Sequence, residues 1–107
     1  MAEPFVLPRR VQVGPYWYSL RRDPGVDAAQ RYAETNHHPV REIVFAPSTG
    51  ELDIPDTFLH ELIHIVEAVY ATPLQEEQVK RLSHGLTQAL QSAGLMPERA
   101  VLEGEDA

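Results

Sequence analysis

Between Ile54 and Tyr70 the apolar residues return at the period of a helix. Leu59, Leu62, Ile63, Val66 and Val69 fall on one broad stripe, the pattern of an amphipathic helix with a buried side. Asp53 suits the N-cap, Pro55 fits the first turn, and Asp56 stands where a variant capping box would close. A second helix is predicted over about residues 73–93, with Val79, Leu82, Leu86 and Leu90 as its apolar face. Thr72 is its expected N-cap, Pro73 its first residue, Gln75 its box position and Gly94 its stop. Only about two residues separate the helices, so they should be near neighbours and roughly antiparallel.

Upstream of about residue 50 the helical period gives way to short β-branched and aromatic runs. Arg10 to Val13 and Tyr16 to Arg22 read as strands on either side of Gly14-Pro15, and Asp23-Pro24-Gly25 reads as a turn. Ala28 to Thr35 is a weaker strand candidate. Val40 to Ala46 is the strongest, closed by Pro47-Ser48-Thr49-Gly50. The expectation is an α+β fold: a small, mostly antiparallel N-terminal sheet of three or four strands, packed on two C-terminal helices.

Composition adds limits. The 107 residues suffice for one domain with a single modest core, expected over about residues 11–93. Glu98, Glu103, Glu105 and Asp106 make residues 96–107 an acidic segment, expected to be a flexible tail. A net charge of −7 disfavours a nucleic-acid partner, which would call for a basic face. The Phe5-Val6-Leu7 stretch between prolines is too short for a signal peptide, and no run reaches transmembrane length. A cytoplasmic location and no membrane partner are the resulting expectations. The chain has no cysteine, so a metal site would have to use histidine and carboxylate.

Such a site is what the first helix offers. His60-Glu61-Leu62-Ile63-His64 is an H-E-x-x-H motif, and its two histidines stand four apart on one helical face. Both imidazoles can therefore reach one ion, and Glu61 is placed to take a proton from a water held there. Two histidines plus one carboxylate suit Zn2+, with its fourth position left for water. The bland alternative is a pair of hydrogen-bonded histidines on a helix flank. Glu76, at the head of the second helix and leaning inward, is the favoured third ligand; Glu77, His84 and Glu67 are the alternatives. Glu67 stands a turn beyond the motif, where contact with a ligand is more natural than contact with the metal.

With these residues in place, the chain resembles a minimal gluzincin metallopeptidase. The similarity is nearest to ImmA/IrrE-like proteins and small phage-encoded relatives, over about residues 11 to 93. In that group an acidic ligand opens the next helix within a pattern like E-x-x-A-N. Glu76-Glu77-Gln78-Val79-Lys80 keeps the acid and replaces the Ala-Asn pair. The resemblance implies a zinc-dependent endopeptidase acting on a protein or peptide, with His60, His64 and Glu76 on zinc and Glu61 as general base. Tyr32, His37, His38 and His84 are candidates to stabilise the attacked carbonyl, and the Val40 to Ala46 strand is a candidate edge for an extended peptide. The second functional class is a non-catalytic, zinc-stabilised protein-binding module on the same fold.

Overall fold

The computed structural model describes residues 4–26 and 32–104. Its elements are β1 (Phe5–Leu7), β2 (Arg10–Val13), β3 (Tyr16–Arg22), β4 (Ala33–Asn36), β5 (Glu42–Phe45), α1 (Ile54–Tyr70), α2 (Glu76–Ser92) and β6 (Ala100–Leu102). The α+β class expected from the pattern is the one observed. Residues 28–31 of the weak strand candidate, and Glu105 and Asp106 of the acidic segment, lie outside the described residues.

Four strands form one sheet in the order β2-β3-β5-β4. The β2–β3 and β4–β5 ladders are antiparallel and β3–β5 is parallel. Alternation along each strand sends Val11, Val13, Tyr18, Leu20, Ile43, Phe45 and Ala33 inward onto α1. The other face carries Trp17 under the Arg10 guanidinium, and Arg21 paired with Glu42 and Asp23. There the Arg21 guanidinium, with the Gly25 amide, holds the Asp23 carboxyl below the usual carboxylate range. At the β2–β3 turn Gly14 has φ of +57°, and a Cβ there would lie 2.9 Å from Val69 Cγ1. Only glycine lets this turn press on the last turn of α1.

α1 occupies the predicted span, but its buried side is offset. Ile54 and Ile65 are fully buried and Phe58, Leu62 and Val69 pack against the same core, whereas Val66 is exposed. Asp53 makes no side-chain cap, because its backbone is already helical (φ −91°, ψ −23°) and cannot fold its carboxylate back. Asp56, expected to complete the box, pairs with His84 instead.

α2 begins at Glu76, three residues later than predicted. Gln75 is the N-cap and exchanges hydrogen bonds with Gln78 in a reciprocal capping box, so Thr72 and Pro73 belong to the connection. Val79 is buried as expected, but Leu82 and Leu86 are exposed. Ser83 and Thr87 take the buried positions beside Val79, because α2 touches α1 along a narrow strip centred on the Val79-Ser83-Thr87 row.

The largest departure is at the C-terminal end. Residues 100–102 are a buried strand, not a flexible tail: β6 pairs in parallel with β1, matching Phe5, Val6 and Leu7 to Ala100, Val101 and Leu102. Ala100 and Leu102 join Leu7 in the main core, which therefore extends beyond residues 11–93 at both ends. The Ala100 amide donates to the Glu51 carbonyl at 2.9 Å, tying β6 to the start of α1. Among the described residues, no helix is long and apolar enough to cross a membrane.

Candidate metal centre

The helical period brings His60 and His64 side by side on α1, with ring centroids 4.8 Å apart and Nε2 atoms 3.2 Å apart. Glu76 arrives from the first position of α2. Its Oε1 lies 3.0 Å from His60 Nε2 and its Oε2 lies 3.2 Å from His64 Nε2. One donor atom from each of the three residues lies within 4.8 Å of the others, so this group could hold a metal ion.

The alternatives for the third position go elsewhere. Glu77, one residue on, is turned to solvent and pairs with Arg81 at 3.2 Å. His84, two turns along α2, pairs with Asp56. Glu67 stands behind the pair: Oε1 lies 2.8 Å from His64 Nδ1, and Oε2 accepts the Leu74 amide at 2.9 Å. That carboxylate orients one imidazole and also anchors the connection that delivers Glu76. A partner on Nδ1 fixes the ring tautomer that leaves the Nε2 lone pair free for a metal.

Glu61 reaches toward β4. It is buried, and its Oε1 accepts the Thr35 hydroxyl at 2.7 Å. A buried carboxylate is costly without a positive neighbour, and a cation between His60, His64 and Glu76 would supply one. Thr35 carries no motif. The only trace of it in the sequence is its place one alternation from Ala33 on a strand, and which strand faces the helix is decided by the sheet order.

That order corrects the expected peptide edge. β5 lies between β3 and β4, so both its edges are paired; β4 is the terminal strand on the side of the site. Glu34 and Thr35 of β4, with the α1 and α2 residues above, line a cleft of about 1150 Å³. Tyr32, His37 and His84 also line it; His38 is not among its lining residues. His37 is held through Nδ1, 2.9 Å from the Tyr18 hydroxyl. Burial pushes the Tyr18 phenol up from its ordinary value, so it stays protonated at neutral pH and can donate. His37 would then carry its ring proton on Nε2.

No protein-family model, curated protein or solved structure matches the chain.

Proposed function

We propose that the chain is a zinc-dependent metallopeptidase of minimal gluzincin type, of the kind its motif resembles in ImmA/IrrE-like proteins. The observation that carries the reading is the convergence of His60, His64 and Glu76, with Glu61 buried one residue from the first histidine. Bonds of about 2.0–2.1 Å to a tetrahedral ion put neighbouring donors about 3.3–3.4 Å apart. The two Nε2 atoms, 3.2 Å apart, are close to that value, and the Glu76 carboxylate spans both, Oε1 at 3.0 Å from His60 and Oε2 at 3.2 Å from His64. Two neutral nitrogens and one carboxylate, without thiolate, form a donor set that zinc accepts. Zinc held there would supply Lewis acidity, lowering the pKa of a water and polarising a carbonyl.

The rest is the work of the chain. Thr35 holds one oxygen of Glu61, so the other is available to take a proton from the attacking water and return it to the leaving amine. The outer edge of β4 suits an extended peptide, which can pair with it through main-chain hydrogen bonds. His37 is the best placed of the expected carbonyl stabilisers, because its Nε2–H would be a donor fixed by Tyr18.

The test is cleavage of a peptide library by zinc-loaded protein, read by mass spectrometry, beside Glu61→Gln. The expected result is a defined set of cuts in wild type and a rate about 10²–10⁴-fold lower in a variant that keeps its zinc. Cutting that survives Glu61→Gln would point to a contaminant and remove the proposal.

A further inference from the structure

The cleft is built from two facing rows. α1 contributes Asp56, His60 and His64, and α2 contributes Glu76, Lys80 and His84, each at four-residue spacing. The rows run antiparallel and touch at both ends: His64 and His60 meet Glu76, and Asp56 meets His84. The two contacts are eight residues apart on each helix, so the helices stay in step between them. Lys80 is thereby set over the middle of the cleft, about 6 Å along the axis from Glu76.

Lys80 is the sole lysine or arginine among the described residues lining that cleft, against Glu34, Asp53, Asp56, Glu61, Glu67 and Glu76. It nonetheless forms no ion pair among the described residues. The carboxylates beside it on the two rows are engaged: Glu76 with both motif histidines and Asp56 with His84. A single cation, unpaired in an acidic cleft, is a site for an anion that arrives with the ligand.

We propose that Lys80 anchors a carboxylate of the bound peptide, a deepening that rests on the metallopeptidase reading. An extended chain advances about 3.3–3.6 Å per residue, so the carboxylate would lie roughly one to two residues beyond the attacked carbonyl. Two sources fit: a free C-terminus close to the cut, or an Asp or Glu side chain at that position. The cleft would then prefer peptides bearing a negative charge there, despite the acidity of the chain as a whole.

The experiment is calorimetric binding to zinc-loaded protein and needs no turnover. The probes are a succinyl hydroxamate joined to Leu-Ala with a free C-terminal carboxylate, the same compound as its C-terminal amide, and the amide with Asp in place of Ala. One of the two carboxylate-bearing probes should bind roughly three- to tenfold more tightly than the neutral amide. Which one does identifies the source of the carboxylate. Lys80→Gln, at an exposed helix position, should erase that difference while zinc content and affinity for the neutral amide stay unchanged. Equal affinity of all three probes for wild type would overturn the Lys80 anchor and leave the metal centre intact. Failure of every probe to bind the zinc-loaded protein would remove the metallopeptidase reading, and the anchor with it.

Discussion

The two ends of the cleft are built from the same materials and are chemically unlike. Each joins a histidine to a carboxylate across the α1–α2 interface. At one end His60 and His64 meet Glu76, and Glu67 backs His64 on its other nitrogen. At the other end Asp56 meets His84, and the Asp56 Oδ1 is buried with no hydrogen-bond partner among the described residues. The His84 side chain is 69% exposed, against 19% for His60 and 30% for His64. A histidine–carboxylate pair is thus an ordinary surface contact until a further donor converges on the same point and another group fixes the imidazole.

The contrast breaks most sharply under metal analysis. Wild-type protein should bind about one zinc per chain, and His60→Ala and Glu76→Ala should lose it, while His84→Ala should keep it. Free zinc at a hundred times its Kd should stabilise wild type by about 2.7 kcal/mol, a rise of roughly 10–20 °C in Tm that a chelator reverses. Equal loss of zinc in His84→Ala and His60→Ala would mean that the two ends are one site.

A finer test concerns the group behind His64. Glu67→Gln should weaken zinc binding about 10–100-fold, as measured by competition with a chelating dye, because the imidazole loses its charged orienting partner. Unchanged affinity would show that Glu67 serves only the connection through Leu74. Next in size is Thr35→Val, which removes the hydroxyl from Glu61. It should lower kcat about tenfold with little change in KM or zinc content, since the hydrogen bond positions the base without touching zinc. A rise in KM alone would assign Thr35 to peptide binding. The smallest effect is reserved for the far end: His84→Ala should cost less than about 1 kcal/mol in urea denaturation, as exposed pairs do.

The legible parts of the fold were those governed by local periodicity. α1 spans Ile54–Tyr70 as its apolar spacing predicts, and the strands at Arg10–Val13 and Tyr16–Arg22 stand where the β-branched and aromatic runs put them. α2 was legible as a helix, yet its start moved to Glu76 because the Glu67 carboxylate captures the Leu74 amide and Gln75 supplies the cap. β6 was not legible. Three apolar residues amid acids give no periodic signal, and Ala100–Leu102 becomes a strand only because Phe5–Leu7 lies alongside it, some 95 residues earlier in the chain.

What the sequence by itself determined is the pairing of His60 with His64 and the place of Glu61 beside them, since four-residue spacing on a helix is a matter of backbone geometry alone. Which acid completes the group was decided by tertiary structure. Glu76 and Glu77 are neighbours of identical chemistry, separated only by the rotation of α2 against α1, which turns one toward the histidines and the other toward Arg81. The same packing chose Thr35 as the partner of Glu61, left Lys80 without an ion pair among the described residues, and made β4 rather than β5 the edge of the cleft. Such choices depend on contacts between segments far apart in the chain, and no local period encodes them.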